Sequence, residues 1–356
     1  MLKSSNKPSV LVAFPSMKKQ NTGFYHFGKS LGLALLKHNK DFNLTYYLPK
    51  KGYADFENKV DIIKSCRLHR FFFLPANRFK LVHHTDQLCE LRPDKVRGKK
   101  ILTIHDLNFL HQTPDNAPRI KKYLRRVAHN INTCDQIVTI SHFVKNEVLS
   151  YFPEISHKIQ VIYNGADQLE VVAKHKPFYE PRRPFLFTIG VVRPKKNFHV
   201  LPALLANNDF ELIIAGIDSN YRKRILEEAK QFNCVDRVKL IGPTSESDKA
   251  WYYKNCMAFV FPSIAEGFGL PVIEAMHFGK PVFLSTHTSL PEIGGDGAYY
   301  FNSFDPEEMQ YVFAQGMNDF QKNNPQQEII AHAAQFSWDR AASQYLKLYS
   351  DCLDGQ

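Results

Sequence analysis

No Cys-x-x-Cys pair occurs in this chain, whose six cysteines (66, 89, 134, 234, 256 and 352) are scattered. That spacing excludes a zinc ribbon or a disulfide framework and fits buried thiols in a reducing compartment. Long apolar runs are missing too. The opening segment MLKSSNKPSVLVAFPS has only a five-residue run, and no later run approaches a membrane span. The expected location is cytoplasmic. Asp-x-Asp is absent, so the usual way of holding a nucleotide diphosphate through a divalent cation is not visible. No metal and no cofactor are expected, and cations with a helix dipole would take over that role. Short repeats, low-complexity stretches and a full G-x-G-x-x-G are lacking as well. The net charge of +11 points to a polyanionic partner, either an acidic membrane surface or phosphate-bearing substrates. Nucleic acid would need a recognisable module, and none is present.

At 356 residues the chain exceeds what one core usually supports, and 44% hydrophobic with 23% charged residues is an ordinary globular balance. Nine apolar runs (SVLVAF, KKILTIHD, QIVTIS, KIQVIYNG, FLFTIG, FELIIAG, RVKLIG, AFVFPS and PVFLS) alternate with helical patterns. Runs nearly continuous in Val, Ile, Leu and Phe predict strands buried on both faces, hence parallel α/β sheets. The pattern breaks at DQLEVVAKHKPFYEPRRP, where three prolines and several charges mark a linker. The expected organisation is a domain over 1–168, a linker over 169–184, a second domain over 185–338, and a helix over 339–356 packing back on the first domain. Two doubly wound domains would face each other across a cleft, with ligands at the carboxyl ends of strands.

The segment EGFGLPVIEA, residues 266–275, is the most informative. Pro271 suits the first position of a helix, and Gly267 and Gly269 allow a close backbone approach. The helix N-terminus suits a phosphate, Glu274 one turn further in could accept two hydrogen bonds from a vicinal diol, and Glu266 would face what lies beyond. An ordinary glycine turn before a helix is the alternative. Arg193, Lys195 and Lys196 follow the strand FLFTIG and could neutralise a diphosphate, or be solvated surface charges. His105 ends the strand ILTIHD, where it could donate to a sugar hydroxyl or phosphate, or simply bond to a loop carbonyl. Asn21-Thr22-Gly23-Phe24 forms a glycine loop between the first strand and helix. Arg119, Lys121, Lys122, Arg125 and Arg126 share a helix whose inner face is Ile120, Tyr123, Leu124, Val127 and Ile131. Its basic outer face could dock on anionic lipid or a charged acceptor, aided by the aromatics of RFFFLPANRF, or be an ordinary solvated face.

The motif FPSIAEGFGLPVIEAMHFGKPV resembles the signature of glycosyltransferase family four, two glutamates separated by seven residues. TIHDL, IVTISHFVKNEV, VIYNGAD, FTIGVVRPKKNF, LPEIGGDGAYYFNSFDP and FSWDRAASQYLKLY follow in the family's order. The resemblance implies a GT-B fold of two Rossmann-like domains and a retaining, metal-independent transfer of a hexose-type sugar. The donor would be a UDP- or GDP-sugar and the acceptor a saccharide or lipid-linked saccharide, in bacterial lipopolysaccharide, capsule or exopolysaccharide synthesis at the inner face of the membrane. It assigns Glu274 to the nucleotide ribose, Glu266 to the donor sugar and His105 to that sugar. Backbone N–H groups of Gly267, Phe268 and Gly269 would serve the sugar and diphosphate, Lys196 the diphosphate, Gly23 the N-terminal loop near it, and Leu290 the nucleotide pocket. Many members carry arginine after the glycine matching Gly190, and here Val191 stands there, so Arg193 or Lys195 would substitute. A silent glycan- or partner-binding GT-B protein and a sugar-nucleotide epimerase are the competing readings.

Overall fold

A computed structural model describes residues 7–18, 22–112 and 117–355; Asn21 of the first glycine loop and residues 1–6 of the opening segment lie outside the described residues. The chain divides into two compact units, 1–165 with 337–356, and 166–336. The stretch expected as a linker belongs to the second unit because specific bonds tie it there. Tyr179 donates to Glu211 at 2.7 Å, the Arg182 backbone N–H donates to the same carboxylate, and His175 meets Asp248 at 2.7 Å.

The first unit is a seven-stranded parallel sheet in the order β3-β2-β1-β4-β5-β6-β7. Its strands are β1 (Ser9–Ala13), β2 (Asn43–Leu48), β3 (Asp61–Lys64), β4 (Leu81–His84), β5 (Lys99–Ile104), β6 (Gln136–Thr139) and β7 (Ile159–Val161). Helices α1 (Gly23–His38), α2 (Ala117–Thr133) and α3 (His142–Tyr151) accompany them. Alternation decides the packing: Val10, Val12, Leu44 and Tyr46 point to the side covered by α1, while Leu11, Ala13, Tyr47 and Val82 point to the other with Phe73, Phe79 and Leu91.

The second unit is a six-stranded parallel sheet in the order β10-β9-β8-β11-β12-β13. These strands are β8 (Phe185–Ile189), β9 (Glu211–Ala215), β10 (Val238–Gly242), β11 (Ala258–Phe261), β12 (Val282–Ser285) and β13 (Ala298–Phe301). Helices α4 (Arg222–Gln231), α5 (Glu246–Asn255), α6 (Leu270–His277), α7 (Pro306–Asn323) and α8 (Gln326–Ala333) belong to it.

The terminal helix α9 (Trp338–Asp354) returns to the first unit. Its buried residues Trp338, Ala341, Ala342, Tyr345, Leu348, Tyr349 and Cys352 recur at helical spacing and join the α1 core. Tyr349 OH lies 2.7 Å from His83 Nδ1, Thr103 Oγ1 lies 2.8 Å from His83 Nε2, and Tyr345 OH lies 3.0 Å from Thr103 Oγ1. Burial pushes His83 down to about 3, so the imidazole stays neutral inside this network. No helix among the described residues is long and apolar enough to cross a membrane.

Both sheets carry the doubly wound order in which direction reverses beside the first strand, at β1/β4 and at β8/β11. Loops that leave the carboxyl ends of those strands diverge and open a crevice there. Residues following β8 and β11 in the second unit, and β1, β4 and β5 in the first, are therefore placed to bind ligands.

Candidate functional site

After β8 the chain makes one tight 3-10 turn, Pro194–Lys196, started by proline and stopped by Asn197 in the left-handed region (φ 57°). Asparagine tolerates that conformation better than most residues. The turn directs the Lys196 stem across Gly190, where an added Cβ would stand 3.1 Å from Lys196 Cε. Its ammonium sits 4.6 Å from the centre of the Phe261 ring and donates to Glu266 Oε1 at 2.5 Å. Lys195 goes elsewhere, donating to the Ala265 carbonyl at 3.2 Å. The Arg193 guanidinium has no hydrogen-bond or ion-pair partner among the described residues. Of the two cations expected to stand in for an arginine at Val191, Arg193 is thus the unengaged one.

After β11, hydroxyl groups fix the Glu266 loop. Ser263 Oγ lies 2.5 Å from Glu266 Oε1, the Glu266 N–H donates to Thr288 Oγ1 at 3.1 Å, and Ser289 Oγ lies within 3.1 Å of the Glu266 and Phe268 carbonyls. Thr288 holds φ 57°, which a β-branched residue rarely adopts, and its hydroxyl also donates to the His287 carbonyl. Burial pushes the Glu266 carboxyl up, but Lys196, Lys195 and the bonds from Lys196 and Ser263 outweigh it and hold the group below its ordinary range. Oε1 takes both side-chain bonds, leaving Oε2 without a partner among the described residues. The result is an ionised carboxylate, held on one oxygen and open on the other.

Gly269 caps α6 at φ 118°, a conformation that excludes other residues, and a Cβ there would meet Leu290 at 3.1 Å. Leu290 is fully buried, and the Phe268 ring packs edge-on against Phe336 with centroids 5.8 Å apart. These two side chains support the loop from within the core.

Glu274 lies on α6 opposite α5. Lys249 Nζ donates to its Oε1 at 3.0 Å and Tyr253 OH to its Oε2 at 2.9 Å. Lys249 and Tyr253 are four residues apart and share one helix face. Burial lowers the Lys249 ammonium, but Glu274 and Glu246 outweigh it and raise it above its ordinary value. A carboxylate offers about four acceptor positions, so two remain for hydroxyl donors.

In the first unit His105 follows β5 and is buried. Its Nε2 donates to the Thr85 carbonyl at 2.8 Å, and Phe24 and Phe27 meet the ring edge-on at 4.9 and 4.5 Å. Burial holds its pKa below the ordinary value, despite the Thr85 bond and the charges of Asp86 and Asp106. A neutral ring donating from Nε2 presents Nδ1 as an acceptor. Gly23 opens α1 with empty space where a side chain would be. On α2, Arg119 and Lys122 are exposed, Arg119 lying over the Tyr123 ring at 5.6 Å. Arg126 departs from the expected basic face: it is half-buried and donates to the Cys89 carbonyl at 2.9 Å, because the loop after β4 needs that donor.

Lys249, Tyr253, Ser263, Thr288 and Ser289 were not singled out in the sequence. The i, i+4 spacing of Lys249 and Tyr253 was visible, but the carboxylate they meet lies on another helix.

Two Rossmann-type sheets with polar groups gathered beside their switch strands define an α/β protein of the GT-B fold. The glycosyl transferases group 1 family matches residues 173–336, and the glycosyltransferase family 4 match covers residues 43–168. The chain belongs to this family of glycosyltransferases. It is 25% identical over 280 residues to O-antigen chain mannosyltransferase B of Escherichia coli, covering 70% of each chain. It is 27% identical over 231 residues to O-antigen chain mannosyltransferase RfbU of Salmonella typhimurium, covering 64% of this chain and 61% of that one. Its fold is similar to Anabaena HepE solved in complex with UDP and glucose, with TM-score 0.70, 18% identity, and coverage of 96% of this chain and 99% of the other.

Proposed function

We propose that the chain transfers a hexose from a nucleoside diphosphate, UDP or GDP, to a saccharide acceptor hydroxyl with retention of configuration and without a metal. The observation that carries this reading is the Glu266 carboxylate, ionised and clamped on Oε1 by Lys196 and Ser263, with Oε2 open. Such a group accepts from a sugar hydroxyl but has no proton to give. The positive charge that a departing diphosphate needs is supplied by Lys196, with Arg193 unengaged nearby in sequence and the α6 N-terminus contributing its dipole. Glu274 takes the ribose hydroxyls at its two remaining acceptor positions, and His105 Nδ1 accepts from a hydroxyl of the donor sugar.

In the proposed step the bond between the anomeric carbon and the diphosphate oxygen breaks. The acceptor oxygen bonds to that carbon on the same face, and its proton passes to the leaving phosphate oxygen. Atoms and charge balance without a covalent enzyme intermediate. The names of the O-antigen chain mannosyltransferases support mannose as the hexose and a growing surface polysaccharide chain as the acceptor. Exposed Arg119, Lys121, Lys122 and Arg125 on α2 suit an anionic acceptor or an anionic lipid surface.

The test presents UDP- and GDP-hexoses with a saccharide acceptor and reads the anomeric configuration of the product by NMR. A product of inverted configuration, or full turnover in Glu266→Ala, overturns the reading.

A further inference from the structure

Between β3 and β4 the chain carries no acidic residue from Ile62 to Thr85, yet holds Lys64, Arg67, Arg70, Arg78 and Lys80. All five cations are exposed. Among them stand four large apolar side chains in water: Leu68 at 67% exposure, Phe71 at 59%, Phe72 at 76% and Leu74 at 98%. Clustered exposed apolar side chains of this size mark a binding surface. They are also held in place. Phe73 and Phe79 are buried in the sheet core, Phe73 touching His69 and Tyr47 at centroid distances of 5.3 and 6.1 Å. The N–H groups of Phe71 and Phe72 both bond to the Leu68 carbonyl, and Arg97 N–H bonds to the Ala76 carbonyl. The apolar tips are therefore displayed by a folded turn.

We propose that residues 67–74 form a membrane-docking element that inserts Leu68, Phe71, Phe72 and Leu74 among lipid chains while the flanking lysines and arginines meet anionic headgroups. Charge complementarity selects this occupant. A protein partner recognised through apolar contacts alone would gain nothing from five cations that, among the described residues, are relieved by no acid but Asp61, which pairs with Arg78 at 3.6 Å. Exposed apolar tips flanked in sequence by exposed cations match an anionic bilayer, where insertion and electrostatic attraction add. Helix α2 is tied to the loop that packs behind this element. Arg126 and Asn130 tie that helix to the carbonyls of Cys89 and Gln87, in the loop whose Leu91 packs in one cluster with Phe73 and Phe79. The proposal does not rest on the sugar-transfer reading, since lipid binding is measured without donor or acceptor.

The experiment sediments the full chain with vesicles of equal parts phosphatidylglycerol and phosphatidylethanolamine, and with vesicles of phosphatidylcholine. Expected are binding to the anionic vesicles alone, a loss of about tenfold or more in F72S/L74S, and a loss of roughly tenfold in R67E/R70E. Y311S, which changes an aromatic of 66% exposure on α7 beside Glu307 and Glu308, should bind like the parent. Leu74→Trp should shift its emission to the blue on adding vesicles and be quenched by brominated lipid chains. Failure of the parent to bind, equal binding by F72S/L74S, or unquenched Trp emission each overturns the proposal. Full competition by soluble glycerol phosphate would reduce the surface to a headgroup site and overturn insertion. A vesicle-free dimer that F72S/L74S dissociates would assign the patch to a second copy of the chain instead.

Discussion

At the carboxyl edge of the first sheet His105 presents an imidazole wedged between Phe24 and Phe27, whereas the second sheet places an ammonium and a carboxylate 2.5 Å apart. Both sit beside a switch in strand order, so topology does not separate them. Surroundings do. Aromatic packing and burial keep His105 neutral and offer a single acceptor nitrogen, suited to an uncharged hydroxyl. Lys196, Lys195 and the Ser263 hydroxyl hold the Glu266 carboxyl below its ordinary range, so it stays charged. Under the proposed function, two copies of one architecture would divide polar and ionic recognition between them.

The sharpest way to break that contrast is to remove Lys196. Lys196→Met leaves Glu266 buried without its ion pair, so unfolding free energy should fall by about 3–5 kcal/mol. Turnover should fall by about 10²–10³ if the ammonium also stabilises the leaving group. The double variant K196M/E266Q removes both charges and should recover most of the stability but none of the turnover; urea denaturation with activity assays reads both. The pH dependence fixes the sign. The Glu266 pKa lies below its ordinary 4.5, so its ion pair stabilises the fold fully above 4.5 and is lost as pH falls through the lower folded value. The stability gap between parent and K196M should narrow in acid, and a gap constant down to pH 3 would contradict the assignment.

Glu274→Gln tests the other ionic position of the second unit. An amide keeps the shape and the bond from Tyr253 but loses the charge that faces Lys249. A charge-assisted hydrogen bond contributes about 1.5–3 kcal/mol, so kcat/KM for the donor should drop about ten- to a hundredfold, mostly in KM. A change confined to kcat would move Glu274 from the nucleotide to the reacting sugar. His105→Asn, in the first unit, removes one neutral hydrogen bond and should cost about three- to tenfold in turnover. The folded imidazole titrates below the ordinary 6.5, so parent stability is eroded by protonation of the unfolded chain as pH falls below 6.5. H105N lacks that contribution, and its stability relative to the parent should improve between pH 6.5 and 5.

Much of this division was legible in the chain itself. Pro271 marked the start of a helix observed at Leu270–His277, and apolar runs located β1, β5 to β7 and β8 to β12. The runs did not show β2, β3, β4 or β13, whose NLTYYL, DIIK, LVHH and AYYF are short or mix polar and aromatic residues. Burial in a parallel sheet overrode that local polarity; His83 and His84 are both buried strand residues. At the site, Glu266 and Lys196 stood out because each lies in a loop after an apolar strand. Their bond, across 70 positions, is a product of neighbouring strands β8 and β11. Lys249 and Thr288 were invisible for the same reason: what each bonds to is set by packing between elements.

The smallest effect separates cations by environment within one helix. Arg126 and Arg119 lie two turns apart on α2 and look alike in sequence, but the first donates to the Cys89 carbonyl while the second lies over an aromatic ring at the exposed end. Arg126→Ala leaves that part-buried carbonyl without its donor and should lower stability by about 1–3 kcal/mol. Arg119→Ala loses an exposed cation–π contact and should cost no more than about 1 kcal/mol. Binding to anionic vesicles should order the two the other way, because Arg119 is exposed whereas Arg126 is half-buried and committed to the Cys89 carbonyl. If R126A weakens vesicle binding more than R119A while leaving thermal stability unchanged, the guanidinium of Arg126 must exchange its carbonyl for lipid, and α2 would then dock through the face now turned to Cys89.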